Sequence, residues 1–252
     1  MSWPDKTKYA GSFEFGKRNG RGKITYADGK VYEGQFREGE ANGEGLLIYP
    51  DGRKYLGTFK DNLKHGKGVY SWADGTRHVG DYSNDKANGQ GEKQWPTGEK
   101  YVGTFKDGQV TGSGVKTYPD GTRHTGSFKD NEAIGRGQKV SADGTKYKGE
   151  YKNGLPNGKG ERTLPDGSKY QGQFKEGKMH GKGTLNSADG TRYNGLFKEG
   201  LKHGKGYEKL KDGTKFNGNY VAGKKNGEGV LVLASGVKFE GKFKDDLKSG
   251  RG

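Results

Sequence analysis

The sequence repeats every 23 residues without an insertion, and this period constrains the fold more than any other feature. We number each repeat from a ring-bearing residue, slot 1, which is Tyr, Phe or His at Tyr9, Tyr32, Tyr55, His78, Tyr101, His124, Tyr147, Tyr170, Tyr193, Phe216 and Phe239. Slots 3, 12 and 14 are always Gly, slot 5 is always Phe or Tyr, and slot 21 is Gly. Most of the 50 glycines therefore occupy fixed positions, which a flexible linker does not require.

Each repeat contains two short runs that alternate with period two, as β-strands do. The first is the aromatic-x-Gly-x-aromatic run of slots 1 to 5, and the second follows Gly-x-Gly, as at residues 45–49 and 68–72. Pro-Asp-Gly at 50–52 fits a three-residue loop, since Pro sets φ for a type I turn and Gly takes the left-handed position. This loop predicts one β-hairpin per repeat, with slots 1, 3, 5, 14, 16 and 18 on one face.

The glycines of slots 3 and 14 share the predicted ring face, where they leave space for rings to lie over the backbone. We assign this structural role to Tyr32, Gly34, Phe36, Tyr55, Gly57, Phe59, Gly66 and Gly68. The predicted fold is all-β, an elongated single-layer antiparallel sheet of tandem 23-residue hairpins, twisted or curved. We expect one array over residues 1–252, of about eleven units in phase from Tyr9, with both ends cut within units.

Tyr-x-Gly-x-Phe, His/Asn-Gly-x-Gly and Asp-Gly at this period together resemble the MORN repeat (membrane occupation and recognition nexus) over the whole chain. Residues 15–20 also resemble the start of a unit in radial-spoke MORN proteins. The resemblance implies a non-catalytic scaffold, because family members are linked to protein binding, dimerisation and membrane or phosphoinositide binding. We therefore expect a cytoplasmic protein that binds protein partners on a cytoskeletal or ciliary assembly. The alternative is peripheral binding to an anionic, phosphoinositide-containing membrane.

The composition agrees with a repeat scaffold rather than an enzyme. Hydrophobic residues make up 27% of the chain, which alone indicates disorder, but 15 Tyr and 11 Phe oppose that interpretation. The absence of Cys excludes disulfides and thiolate metal sites, and no apolar stretch has the length of a signal peptide or membrane span. No P-loop, kinase signature or calcium loop occurs, so we expect no catalytic residue, cofactor or metal.

The net charge of +15 suits a polyanionic partner, and one set of cations is regularly spaced. Slot 23 forms a basic ladder, predicted to lie opposite the rings, which consists of Lys54, Arg77, Lys100, Arg123, Lys146, Lys169, Arg192, Lys215 and Lys238. The ladder fits a membrane or an acidic partner, or it keeps a solvated strand face soluble. Acidic slot-7 residues such as Glu38 are expected near the slot-6 lysines, where they weaken the field. We expect no nucleic-acid partner, because no RNA-binding signature occurs.

A second candidate surface lies on the ring face, where slot 16 becomes cationic in the middle repeats. Its members are Lys93, Lys116, Lys139 and Arg162, with Trp95, Tyr118, Tyr101 and His124 as neighbouring rings. This set either binds an anionic head group or an acidic aromatic peptide, or consists of lysine stems that lie across rings. His65, His180 and His203 are expected to stabilise a turn rather than bind metal. Unprotected sheet edges further predict self-association.

Overall fold

The computed structural model describes residues 1–249, so the last three residues of the predicted array lie outside it. Residues 1–249 contain no helix, and therefore none that could span a membrane. The strands are β1 Lys8–Glu14, β2 Lys17–Thr25, β3 Val31–Arg37, β4 Glu40–Ile48, β5 Lys54–Lys60, β6 Leu63–Ser71, β7 Arg77–Ser83, β8 Lys86–Gln94, β9 Lys100–Lys106, β10 Gln109–Thr117, β11 Arg123–Lys129, β12 Glu132–Val140, β13 Lys146–Lys152, β14 Leu155–Thr163, β15 Lys169–Lys175, β16 Lys178–Asn186, β17 Arg192–Lys198, β18 Leu201–Lys209, β19 Lys215–Val221, β20 Lys224–Val232, β21 Lys238–Lys244 and β22 Leu247–Ser249. These 22 strands form one open antiparallel sheet, which confirms the predicted all-β single layer.

The residue contacts group the chain into two compact units. Unit 1 comprises Met1–Asp120 and Phe128–Asn131, and unit 2 comprises Gly121–Ser127 and the chain from Glu132 onward. Within unit 1, β1 to β10 pair in chain order. Within unit 2, β12 to β22 do the same. Inside each of these runs, a strand therefore bonds to the strands just before and after it.

The predicted three-residue loop between repeats is present. The Tyr49 amide donates to the Arg53 carbonyl at 2.9 Å, and the Gly52 amide donates to the Tyr49 carbonyl at 3.0 Å. Gly52 has φ of 89°, the left-handed conformation that glycine adopts without a Cβ penalty. Pro50 and Asp51 thus occupy the corners of the turn, and this loop sets the register between β4 and β5.

A second turn, between the two strands of each repeat, spans slots 7 and 8. In β5–β6 these slots are Asp61 and Asn62, with φ of 49° and 66°, the pattern of a type I′ turn. Acidic residues in slot 7 contact lysines of the preceding repeat, as in the 2.7 Å ion pair between Glu38 and Lys17. Lys17 chiefly, and Arg37 at slot 6 more weakly, lower the pKa of Glu38, so this acid lies near both slot 9 of the preceding repeat and the expected slot-6 cation.

The second strand of each repeat begins earlier than the sequence predicted. Strand β6 starts at Leu63, whereas the predicted run started at residue 68. Gly57 lies opposite Gly68 and Phe59 opposite Lys64, so residues 65–67 form a bulge against Thr58. The slot-12 glycine allows the backbone to form this bulge, because Gly66 has a positive φ of 60°. His65, His180 and His203 consequently lie within strands and not in a hairpin turn.

The core is a row of rings that lie over glycines. Tyr55 meets Phe59 of its own repeat at 5.1 Å and Tyr82 of the next at 5.0 Å, both edge to face. An added Cβ on Gly68 would lie 2.3 Å from the Tyr55 hydroxyl oxygen, so only glycine fits beneath this ring. The same alternation recurs in unit 2, for example around Tyr170. The predicted packing of rings into glycine gaps is confirmed.

Candidate functional site

The two faces of the sheet offer different surfaces to a partner. The ring face carries slots 1, 5, 16 and 18, and its slot-1 and slot-5 rings are buried from Tyr32 to Phe216. The opposite face, which we call the back face, carries slots 2, 4, 6 and 23 of the first strand and slots 13, 15 and 17 of the second. Its side chains are largely exposed or half-buried.

In unit 1, lysines of the ring face stack against aromatic side chains of the same chain. Lys93 Nζ lies 4.9 Å from the ring centroid of Trp72 and 5.1 Å from that of Trp95. Lys116 Nζ lies 5.7 Å from Trp95 and 4.9 Å from Tyr118. Burial lowers the pKa of Lys93. These cations are therefore engaged by the protein's own rings, as lysine stems that cross a ring row would be.

The remaining ring-face residues proposed as contacts are packed or paired. Lys116 also forms an ion pair, with Glu99 at 3.2 Å, and Tyr101 is fully buried. In unit 2, His124 is buried against Tyr151, at a centroid distance of 4.4 Å. The structure thus gives Tyr101 and His124 a packing role rather than a contact role.

The two slot-16 cations proposed as contacts in unit 2, Lys139 and Arg162, are half-buried. Lys139 is half-buried opposite Tyr147 in the register of β12 and β13. Arg162 lies 4.9 Å from the Phe174 centroid and donates to the Gly177 carbonyl at 2.6 Å. Burial lowers the pKa of Arg162, although a guanidinium remains charged.

The basic ladder lies on the back face, since slot 23 precedes the buried slot 1 in a pleated strand. Its members are exposed except for Lys100, which is half-buried. Lys100 pairs with Glu92 at 2.7 Å, Lys169 with Glu161 at 2.9 Å and Lys238 with Glu240 at 2.6 Å. The ladder is therefore a solvent-facing row of cations that neighbouring carboxylates neutralise in part.

A groove runs over the glycine row on the back face of each unit. In unit 2 it has a volume of 970 Å³, and polar side chains line it, including Lys148, Glu161 and Gln171. In unit 1 it has a volume of 570 Å³, and apolar and charged side chains line it together, namely Leu56, Val69, Val79 and Val102 with Glu44, Lys67 and Glu92. The sequence interpretation missed both grooves, although the apolar residues of slots 2 and 15 were a signal.

The sequence interpretation also missed a buried ionic cluster in unit 2. Glu208 accepts a hydrogen bond from the Tyr220 hydroxyl at 3.1 Å and pairs with Lys202 and with Lys225, the latter at 3.9 Å. Lys202 and Lys225 occupy slot 10, which lies on the ring face opposite the slot-5 aromatics. The signal in the sequence was an acidic residue at slot 16, a position that is otherwise apolar or basic.

His78 replaces tyrosine in the ring row of unit 1. Its Nδ1 lies 2.7 Å from the Tyr82 hydroxyl, while its Nε2 is buried without a hydrogen-bond partner among the described residues. Burial lowers the pKa of His78 to about 4, so the ring is neutral at pH 7. No group of His, Asp and Glu within residues 1–249 could hold a metal ion.

The family model of the MORN repeat matches ten segments of the chain, 9–31, 32–52, 55–77, 78–100, 101–123, 147–169, 170–192, 193–215, 216–238 and 239–252. Segment 124–146 is not matched, although strands β11 and β12 lie there. A comparison with curated proteins gives no match.

Among solved structures, the chain is similar to a point mutant of the TCP10 domain of Danio rerio CPAP, with 17% identity, coverage of 96% of this chain and 98% of that chain, and a TM-score of 0.34. It is similar to the wild-type domain in complex with a peptide of Danio rerio STIL, with 16% identity, 96% and 92% coverage and a TM-score of 0.25. A third similar structure is the SAS-4 (dCPAP) TCP domain of Drosophila melanogaster in complex with a proline-rich motif of Ana2, with 12% identity, 97% and 94% coverage and a TM-score of 0.27.

Proposed function

Because the chain belongs to the MORN-repeat family, we propose that it is a non-catalytic scaffold that binds protein partners through the back face of its sheet. MORN repeats are generally protein- or membrane-binding modules. The observation that carries the proposal is the back-face groove of each unit, which is open to solvent and lined by side chains that the ring row does not use.

The ring face is less suited to a partner because its groups already contact one another. Its aromatic rings lie over glycines, and Lys93 and Lys116 lie against Trp95. A partner on this face would have to displace these contacts, whereas a partner on the back face would displace solvent. This difference supports the back face as the binding surface.

The buried titratable groups support a non-catalytic role, since each one serves packing. His78 contacts Tyr82, and Glu208 contacts Tyr220 and Lys202. These groups lie in the ring row, away from the residues that line the back-face grooves. Catalysis needs an acid, base or nucleophile that a substrate can reach, and these groups do not meet that condition.

A second candidate function is peripheral binding to anionic membrane, and the exposed basic ladder favours it. Cations at a regular step attract an anionic surface by roughly 1 kcal/mol each when they lie close to it. The ion pairs of Lys100, Lys169 and Lys238 reduce this attraction. We therefore rank membrane binding below protein binding.

Cross-linking of complexes isolated from the cells that express the protein tests the proposal. A lysine-reactive reagent followed by mass spectrometry is expected to link partners to back-face lysines such as Lys54, Lys67 and Lys148. Links concentrated at the ring-face residues Lys93 and Lys116 would contradict the proposal. The double variant Lys54→Glu/Arg77→Glu is expected to lose unit 1 partners, and unchanged capture would also count against it.

Three further measurements on the same protein separate the alternatives. Co-sedimentation with vesicles, with and without phosphoinositide, supports the membrane candidate if pelleting is strong and falls as salt rises. Light scattering tests the predicted self-association through sheet edges. Imaging of the tagged protein tests the proposed place on cytoskeletal or ciliary structures in the cytoplasm.

A further inference from the structure

We propose that the back face of unit 1 binds an amphipathic α-helix whose apolar stripe is flanked by acidic residues. This inference rests on the proposed function, because it names the partner chemistry for part of the same face. The surface is an apolar row across β4 to β10, made of Leu46, Leu56, Val69, Val79, Val102 and Val115.

The row runs without interruption from Leu46 to Val79, because these members face each other across adjacent strands. Leu46 lies opposite Leu56, Leu56 opposite Val69, and Val69 opposite Val79. Glu92 occupies the next position, after which Val102 lies opposite Val115. The row is open to solvent, since Leu56 is 57% exposed and Val102 46% exposed. An uncovered apolar row of this kind marks an interaction surface.

The fold itself does not require apolar residues at these positions. The equivalent slots 2 and 15 of β12 to β17 form the same cross-strand row in unit 2. They hold polar residues, namely Gln138, Lys148, Glu161, Gln171, Thr184 and Asn194. Since the same strands form with polar side chains there, the apolar row of unit 1 has a purpose other than folding.

Backbone chemistry favours a helix over an extended peptide on this row. Strands β4 to β9 each pair with a neighbouring strand on both sides, and β10 pairs with β9, so the row offers few free backbone donors and acceptors. An extended peptide laid across it would leave its own N–H and C=O groups without protein partners, whereas a helix satisfies them internally.

The spacing of the row also fits a helix. Adjacent strands lie about 4.8 Å apart, close to the pitch of about 5.4 Å at which apolar residues recur along one helix face. Six strand steps from Leu46 to Val115 span roughly 29 Å, which corresponds to a helix of about 19 residues. The groove over Gly57, Gly68 and Gly80 provides space for side chains of this helix.

The charges beside the row favour a helix whose apolar stripe is flanked by acidic residues. Lys54, Arg77 and Lys100 border the row at slot 23, and Lys60 and Lys106 lie at slot 6 of the same strands. Lys100 pairs with Glu92, while in the described part of the chain the other four form no ion pair. On the slot-6 side, Glu44 and Asp81 lie nearer to the row than these lysines, and Asp81 pairs with Lys67 at 2.6 Å, so the slot-23 cations dominate the selection. A helix with Glu or Asp beside its apolar stripe would meet Lys54 and Arg77, and a helix with Lys there would be repelled.

Fluorescence anisotropy with synthetic peptides and the full chain tests this inference. The probe is a helix of about 20 residues with Leu at i, i+3, i+4 and i+7 spacing and Glu on both flanks. Two comparison peptides carry Lys flanks or a central proline that breaks the helix. We expect the Glu-flanked helix to bind, its affinity to fall as salt rises, and both comparison peptides to bind at least about tenfold more weakly.

Two matched double variants locate the binding. Leu56→Thr/Val102→Thr keeps β-branched or strand-compatible residues in the row and is expected to weaken probe binding by about tenfold. Leu155→Thr/Leu201→Thr removes similarly exposed leucines of unit 2, 48% and 50% exposed, and is expected to leave binding unchanged. Thermal unfolding of both variants verifies that they remain folded.

Three results would overturn the inference: no binding of the Glu-flanked helix, equal binding of the Lys-flanked or proline-broken peptide, or equal losses in the two double variants. The proposed function can survive such a result. Partners that cross-link to the back face but are retained by Leu56→Thr/Val102→Thr would preserve the proposed function and refute the helix. Partners that cross-link to the ring face would refute the proposed function.

Discussion

Replacement of Gly68 by Ala is expected to destabilise unit 1 strongly, because Tyr55 leaves no room for a Cβ. A Cβ built on Gly68 would lie 2.3 Å from the Tyr55 hydroxyl oxygen and 2.4 Å from Cε2. Atoms at such separations overlap, so either the ring or the strand must move. The ring is fully buried between Phe59 and Tyr82, and it cannot rotate away without opening the row.

The expected loss of stability follows from the burial and the hydrogen bond that the Tyr55 ring loses. Complete removal of a buried aromatic side chain costs roughly 3–5 kcal/mol. The Tyr55 hydroxyl also donates to the Thr58 carbonyl at 3.1 Å, a hydrogen bond that contributes about 1 kcal/mol. Because the ring would move rather than disappear, part of its burial survives. We expect the free energy of unfolding to fall by about 3 kcal/mol.

Chemical denaturation followed by tryptophan fluorescence measures this loss, since Trp72 belongs to the mutated repeat. Repeat arrays unfold in segments, so hydrogen exchange with mass spectrometry should locate the lost protection in β5 to β7.

The matched control is Gly137→Ala, at the same slot of the repeat that begins with His124. There the nearest atoms to an added Cβ are the Thr125 carbonyl oxygen at 3.0 Å and His124 Nε2 at 3.2 Å, so we expect a loss of about 1 kcal/mol. Equal losses at the two glycines, or unchanged exchange in β5 and β6, would refute the proposed coupling of ring and glycine.

Three other predictions concern buried polar groups. His78→Tyr should change stability by less than about 1 kcal/mol in thermal unfolding, because removal of the unpaired Nε2 and a new bond to the Asp81 carbonyl are offset by loss of the 2.7 Å hydrogen bond to the Tyr82 hydroxyl; a loss above about 2 kcal/mol would contradict this. The folded pKa of His78, about 4, lies below its ordinary value, so unfolding takes up a proton and stability falls as the pH drops from about 6.5 to 4, by roughly 3 kcal/mol, with no further loss below pH 4. The difference in stability between the native chain and His78→Tyr should therefore grow over that range, and a constant difference would refute the assignment. Glu208→Ala should cost about 3 kcal/mol in urea unfolding because it leaves Lys202 and Lys225 without their buried partner, whereas Glu208→Gln should cost less; equal costs would show that the charge is not what stabilises the cluster.

The parts of the fold that were predictable from sequence depend on neighbours within one hairpin. Pro50 and Gly52 indicate a three-residue loop, because the proline ring restricts φ at the first corner and glycine adopts the positive φ at the last position. Both effects are local to the residue itself. The loop and the period-two alternation then place Tyr55 and Phe59 on one face. The bulge at residues 65–67 was missed because Gly66 has a positive φ within a strand, which the alternation alone does not reveal.

The candidate site was less predictable because its contacts join separate repeats. Lys93 and Lys116 were expected near rings, but the sequence did not decide whether they would contact Trp95 or remain free to contact a partner. The structure places each lysine within cation–π distance of two rings. Long flexible side chains have many rotamers of similar energy, and only the neighbouring strands select among them.

By itself, the sequence determined the period, the hairpins, the register across the loop between repeats and the face that carries the rings, since turn chemistry and strand alternation act over a few residues. Tertiary structure decided which face remains open and which charges are paired. The rings cover one face of the sheet because they pack over glycines of the next strand. Ion pairs such as Lys17 with Glu38 form only after the strands have aligned. These choices depend on the packing of side chains distant in sequence, which no local pattern specifies.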